Sequence, residues 1–486
     1  MFLIDFWAAY SIFNKHYQII IESVPITEQG ETIMEPRFKD CDRRIQYLMP
    51  PSVEDWVPED HLARFVVDIV NELDLSSIEN SYAGRGSEAY SPKMMTALLF
   101  YAYATGVFSS RKIEQATYDS VAFRYIAVNT HPDHDTIASF RKRFLEELKA
   151  LFAQVLMIAH RTGVLKLGSV SLDGTKVKAN ASKHHALSWD YARKLEEQLK
   201  GEIEELLQKA NDTDQQDVPE GMNIPEELAR RETRLAAIAE AKAQIEQRAA
   251  ERFAEEQKEH EKKMAARKAK EKKTGKKPGG RSPGPPSPGP KSKDQVNLTD
   301  RDSRIMPSHG KGFEQSYNAQ AAVDTESMLI VEHHISQQSN DKKEITPAIE
   351  NLSRLPDDLG KVDKLLADTG YFSEANVKQC EANGIVPYIS VERQQHNVPL
   401  QERFTEPEPL SSPSDPVTEM RHRLKTIVGK AIYAKRKCTV ETVFGIIKAA
   451  MGFRHFLLRG LDRVAGEWNL VCIAYNLKRL YALRPS

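Results

Sequence analysis

The sequence predicts an α/β (α+β) chain: a mixed sheet with flanking helices, preceded by an all-α N-terminal domain and interrupted by a long helical insertion. Three observations carry that expectation. From Asp55 to about Ala159, apolar residues recur at three- and four-residue spacing, the period of helices that bury one face. From Ser169 onward, β-prone runs alternate with turn signals and then with short helical stretches, down to "KVDKLLADTG" and "IVPYISV". Between the strands, residues 183–273 are dominated by Ala, Glu, Lys, Gln and Arg, the composition of long exposed helices.

Taken in order, residues 1–54 read as an N-terminal extension and arm. "MEPRFKDCDRRIQYLMPPS" has the look of a natural beginning, so translation is expected to start at Met34. The opening "MFLIDFWAAYSIFNKHY" carries Asp5 and no basic region, which makes a poor secretory signal. Residues 55–160 form the all-α domain, with "HLARFVVDIVNEL" and "SPKMMTALLFYAYATGV" as amphipathic helices and Ser91-Pro92 as a cap and first-turn pair. In "HPDHD", His131, Asp133, His134 and Asp135 lack clean ligand spacing. Asp135 or Thr136 is better read as the cap of the next helix.

Residues 161–181 open the sheet domain. "SVSLDGTKVKA" reads as a hairpin, with Asp173-Gly174 as its tight turn, because Asp-Gly between β-prone runs is a strong short hairpin signal. Residues 182–273 are the helical, coiled-coil-like insertion, an antiparallel pair broken near "NDTDQQDVPEGMNIP". Residues 274–293, "TGKKPGGRSPGPPSPGPKSK" at their heart, are a Pro/Gly-rich basic linker that cannot form a core and is expected to be flexible. Residues 294–486 resume the sheet and end in basic helices. With the insertion removed, the order is strand-strand-strand-helix-strand-helix-strand-helix, the topology of an RNase H-like domain.

The net charge of −1 conceals strong local asymmetry. Arg421–Ser486 holds 14 Lys and Arg against three acids, and Lys262–Lys293 holds 12 against one. Local basic surface is the footprint of a polyanionic partner, although a charge run by itself is more often a solvated face. The four cysteines are scattered without metal spacing, as free thiols are in a reducing compartment. No apolar run reaches the ~18 residues that a membrane helix needs.

The acids gain meaning from this topology. Asp173 ends the first strand, Asp368 ends the fourth in "LLADTGYF", and those strands are neighbours in an RNase H-like sheet. Glu441, in "TVETVFGIIKAAMGF", lies on a helix expected across the same end. Val440, Phe444 and Ile447 form its buried stripe, and Glu441, Gly445 and Lys448 the adjacent one. That face offers an acid, a residue without a side chain, and a cation in line. Three carboxylates suit Mg²⁺, and two such ions about 3.5–4 Å apart can drive an in-line phosphoryl displacement.

"SLDGTKVKANAS", "YNAQAAVD", "ADTGYFSE" and "YAKRKCTVETVFGIIKAAMGFRHFLLRG…EWNLVCIAYNLKRL" resemble the bacterial insertion-sequence transposases of the DDE type, with a helical N-terminal transposase domain. The likeness runs from about Met34 to the C-terminus, the insertion excepted. It implies Asp173, Asp368 and Glu441 as the catalytic and metal-binding triad. It also implies Tyr433, Arg436 and Lys448 as DNA-binding residues, through a Tyr-x2-Arg…Glu-x6-Lys signature. Four residues separate Arg436 from Glu441, where the commoner pattern has three, so Lys435 or Lys437 could take the role of Arg436.

The resemblance implies a two-metal Mg²⁺ site in which Mn²⁺ substitutes. Its partners would be double-stranded DNA, as terminal inverted repeats and as target, with a homodimer in the synaptic complex. The helices of 55–160 would bind the repeats, and the protein would be cytoplasmic and nucleoid-associated. The function expected is therefore DNA transposition by cleavage and strand transfer. The alternatives are an RNase H-like nuclease that does not join strands, or an inactive transposase-derived DNA-binding regulator.

Overall fold

The computed structural model describes residues 52–82, 89–212, 224–275, 279–308, 312–392, 405–410 and 415–484. The extension 1–51, with the start expected at Met34, lies outside them. The N-terminal helices are α1 (Leu62–Glu72), α2 (Pro92–Ala104), α3 (Ser110–Asp119), α4 (Val121–Ile126), α5 (His134–Arg143) and α6 (Leu145–Arg161). Strand β1 (Ser169–Lys178) follows. A small β2 (Ala186–Ser188) leads to the helices α7 (Trp189–Asp212) and α8 (Ile224–Thr274), and β3 (Gln295–Asn297) pairs back with β2. The chain then builds β4 (Arg304–Pro307), β5 (Phe313–Asp324), β6 (Ile330–Ser336), α9 (Ile345–Ser353), β7 (Lys364–Ala367), α10 (Glu374–Ala382) and β8 (Val386–Ile389). It closes with α11 (Pro416–Lys425), α12 (Ile427–Gly445), a π-turn at Ile446–Ala450 and α13 (Leu461–Leu483).

The main sheet has the expected RNase H-like order. β6 and β4 pair with one side of β5, β1 with the other, and β7 and β8 follow. β5 is antiparallel to β1, β4 and β6, whereas β7 is parallel to β1 and to β8. β5 is buried on both faces from Gln315 to Asp324, as a central strand covered on two sides must be.

The hairpin expected at Asp173-Gly174 is absent. β1 runs straight through it, with Asp173 opposite Ala321 and Gly174 opposite Gln320 of β5. The glycine serves close approach instead of a turn. A Cβ at Gly174 would meet Gln320 Nε2 at 2.1 Å and the Asn318 and Asp341 side chains at 2.8 Å. Pairing along the whole of β5 overrides the local turn preference. Gly174→Ala should accordingly cost about 1–3 kcal/mol through overpacking. A denaturant midpoint equal to wild type would show that those polar side chains can move aside.

The N-terminal helices keep no separate core. One buried cluster runs from Ala63 and Leu98 through Val170 and Tyr317 to Trp468 and Leu480. α13 is the reason: from Gly466 to Leu477 it is buried around its whole circumference, with its polar Glu467, Asn469 and Asn476 included. Trp468 Nε1 donates to the Gln320 carbonyl at 3.1 Å, Asn469 Nδ2 to Leu148 of α6, and Asn476 both accepts from and donates to the Ile330 backbone. In "HPDHD" the cap is Asp133, which accepts from the Thr136 N–H; neither Asp135 nor Thr136 fills that place. His131 stacks on Tyr118, and His134 pairs with Glu114.

α7 and the first half of α8 pack antiparallel through Leu195, Leu199, Ile238 and Ile245, flanked by Glu196–Lys242 and Glu202–Arg231 ion pairs. The Pro/Gly-rich stretch expected to be a flexible linker makes contacts with α8 in its described part. Its described part lies back along the second half of α8, where Arg267 donates to the Gly280 carbonyl and Arg252 to that of Gly289. Proline fixes an extended backbone whose carbonyls are left open to such donors. Among the described residues, no helix is long and apolar enough to cross a membrane.

Candidate active site

The parallel pairing of β1 with β7 sets Ser171 opposite Leu366, so the chain delivers Asp173 and Asp368, two residues further along each strand, to the same sheet end. Asp368 caps the short turn that follows, its Oδ1 accepting from the Gly370 N–H at 2.8 Å. Asp173 Oδ1 accepts from the Gly174 N–H at 2.8 Å. Burial, aided by the charges of Asp368 and Asp341, pushes the Asp173 carboxyl up to about 7. The Gly174 N–H and the Arg436 guanidinium act in the opposite sense.

α12 crosses this end and brings Arg436 and Glu441. Arg436 Nη2 lies 3.1 Å from Glu441 Oε1, and its Nη1 lies 3.7 Å from Asp173 Oδ2. A single guanidinium thus spans two acids that arrive from different elements. The Arg436 side chain is 11% exposed, whereas that of Glu441 is 51% exposed. Of the three cations that the signature left open, Arg436 faces the acids; Lys435 points to Glu326, and Lys437 is exposed.

Tyr433, Arg436 and Lys448 were expected to hold DNA, but their polar groups face inward here. Tyr433 is buried, and its hydroxyl donates to the Ala367 carbonyl at 3.3 Å, one residue before Asp368. Arg436 is engaged by the acids. Lys448 donates to Thr175 Oγ1 and to the Lys176 carbonyl at 3.1 Å, and burial lowers its pKa. The π-turn at Ile446–Ala450 departs from the α-helical spacing on which the Glu441–Gly445–Lys448 stripe was drawn. Such insertions are common at functional sites. The buried stripe of Val440, Phe444 and Ile447 is present as expected.

A fourth acid escaped the sequence reading. Asp341 follows β6, and its Oδ1 accepts from Asn318 Nδ2 at 2.6 Å, Gln320 Nε2 at 2.8 Å and Lys176 Nζ at 3.4 Å. Its Oδ2 faces Gly370, 3.8 Å from where a Cβ would stand, on the turn that Asp368 caps. Tyr371, three residues after Asp368, donates to Gln320 Oε1 and closes the network. The usable signal was "YNAQAAVD": Asn318 and Gln320 are polar residues on a central strand, and buried polar groups require partners. Among the described residues, no three acid, histidine or cysteine side chains are gathered closely enough to hold an ion as placed.

Two family models match the chain: "Transposase DDE domain" over residues 286–477 and "Transposase domain (DUF772)" over residues 51–143. Both matched regions are transposase domains, and over residues 286–477 the chain is similar to the DDE transposases. The first match contains Asp341, Asp368, Tyr433, Arg436, Glu441 and Lys448, and the second contains α1 to α5. Asp173 and the α7–α8 insertion lie outside both matches. A DDE transposase domain implies a DNA-cleaving and DNA-transferring enzyme, and such domains generally use divalent metal ions. No curated protein and no solved structure matches the chain.

Proposed function

We propose that this transposase binds the terminal inverted repeats of a bacterial insertion sequence, cleaves the DNA there and transfers the strand end to target DNA. Asp173, Asp368 and Glu441 would be its catalytic carboxylates. The observation that carries this reading is the convergence at one sheet end: β1 and β7 deliver two aspartates side by side, and α12 supplies a glutamate tied to one of them through Arg436.

The donor set fits a hard divalent cation, because every side chain offered is a carboxylate. Glu441 is half exposed and held only by Arg436 among the described residues, so it is free to turn toward the aspartates. Asp173, Asp368 and Glu441 would hold Mg²⁺, or Mn²⁺ in its place, which supplies an activated attacking oxygen and a stabilised leaving one when bound. The chain's own residues do the positioning. The Gly174 and Gly370 N–H groups fix one oxygen of each aspartate, and the Tyr433 hydroxyl anchors the end of β7. Once Glu441 turns, the Arg436 Nη2 that it held would be released to meet a scissile phosphate, while Nη1 stays beside Asp173. The helices of 55–160 remain the proposed reader of the repeats, with two copies of the chain joining two ends in a homodimer.

The test is cleavage of labelled duplexes carrying the DNA that flanks the reading frame, with Mg²⁺ and with a chelator, followed by capture of the cut end in a target plasmid. Metal-dependent cutting plus joined product supports the proposal. Cutting without joining indicates a nuclease, and binding without cutting an inactive regulator.

A further inference from the structure

The second half of α8 and the Pro-rich strand beside it form a charged surface that the site above does not use. α8 passes the sheet where Glu255 Oε2 lies 2.6 Å from Lys343 Nζ, two residues from Asp341. From Glu255 the helix continues to Thr274, roughly 28 Å at 1.5 Å per residue. Along that length the returning strand braces it. His260 Nε2 meets the Pro283 carbonyl at 3.3 Å and Arg267 donates to Gly280 at 2.7 Å, while just before this length Arg252 pairs with Asp294 at 2.8 Å. A lone exposed helix frays, whereas a helix strapped by an extended strand is held as an arm.

Charge is sorted along this arm. Near the sheet, Glu255, Glu256 and Glu259 pair with Lys343, Lys291 and Lys263. Beyond them Lys268, Lys270, Lys272, Lys273 and Arg281 are exposed, and among the described residues no acid pairs with any of them. Between these cations the helix offers only Ala269 and Glu271. A protein partner would need an aromatic or aliphatic anchor, and lysine is depleted in the cores of such interfaces. Phosphates need no such anchor.

We infer that this braced arm grips the backbone of DNA leading away from the candidate site, an inference that rests on the transposase reading above. Its cationic end on the helix, Lys268–Lys273, spans about 8 Å, the rise of roughly two base pairs at 3.4 Å each. The insertion would thus lengthen the DNA footprint without contributing to the chemistry.

The experiment compares the full chain with its Lys268→Gln, Lys270→Gln, Lys272→Gln, Lys273→Gln variant, binding a duplex of the flanking DNA across a salt series. Lysine and glutamine have nearly equal helix propensity, so the circular dichroism spectrum should not change. Lys268 and Lys272 share one helix face and Lys270 and Lys273 the other, so a duplex meets about two of them, and the slope of log K against log salt should become shallower by about 1.8 with binding weakened several-fold near 0.1 M salt. An unchanged slope with wild-type binding intact overturns the arm and leaves the transposase reading standing, with the arm then solvated or given to another partner. Failure of the wild-type chain to bind any duplex removes the transposase reading itself, and the arm proposal with it.

Discussion

Asp173→Asn, Asp368→Asn and Glu441→Gln should each lower cleavage of flanking DNA by about a thousandfold or more while leaving its binding intact. Each change keeps the shape of the side chain and removes a formal charge on which a divalent cation depends. Binding should survive because the exposed basic surfaces lie on other residues. The fold should survive too, since Arg436 spans two acids and keeps one partner in any single variant. If the three act as one unit, the double variants should be scarcely worse than the single ones, because a site without its ion has little left to lose. A divalent-ion titration should show the same pattern, with weakened binding in all three. Wild-type cutting by Asp173→Asn would return that residue to a strand position without chemistry and remove the mechanism.

The topology was legible because it is written in periodicity. Strand-like runs, their order, and the later alternation with helices placed Asp173 and Asp368 on neighbouring strands, and β1 does pair with β7. The buried stripe on α12 was legible for the same reason, since Val440, Phe444 and Ile447 obey helical spacing. What failed was local inference where long-range contacts decide. Asp-Gly signals a turn only if the chain is free to reverse, and β5 holds β1 straight through Gly174. Pro, Gly and Ser deny the 274–293 stretch a core of its own, but they do not prevent it from lying on a helix that offers arginine donors.

The finer parts of the site were illegible for a related reason. A signature places residues along the chain but does not say which way their donors point. Tyr433 is buried beneath the end of β7, and Lys448 is drawn to Thr175 on β1, so the polar group of each points into the fold. Asp341 belongs to no spacing pattern at all. It enters because a loop after β6 returns over Gly174, where the lack of a Cβ leaves room for it.

His334→Gln should destabilise the fold by about 3–5 kcal/mol, more than any single change proposed at the sheet end. The imidazole bridges two buried carboxylates: Nδ1 lies 2.8 Å from Glu332 Oε1 and Nε2 lies 3.0 Å from Glu344 Oε2. Both partners are acceptors when ionised, so both ring nitrogens must donate, which only the imidazolium can do. Burial alone would lower the His334 pKa, but the two carboxylates more than offset it and push the value up to about 9. The unfolded chain titrates near the ordinary 6.5. Between those values the folded state holds the proton and the unfolded state does not. Its stabilisation is therefore complete below pH 6.5 and is lost as pH rises through 9, a span of about 3 kcal/mol. Asn351 and Ser336 also donate to the carboxylates, to Glu332 and Glu344 respectively, but they are neutral and cannot compensate the charge. Urea unfolding at pH 6 and pH 9.5 should show the wild-type chain losing stability over that interval, and the His334→Gln chain starting lower and losing less. Equal losses in the two chains would mean that another group carries the pH dependence and that the histidine is neutral in the fold.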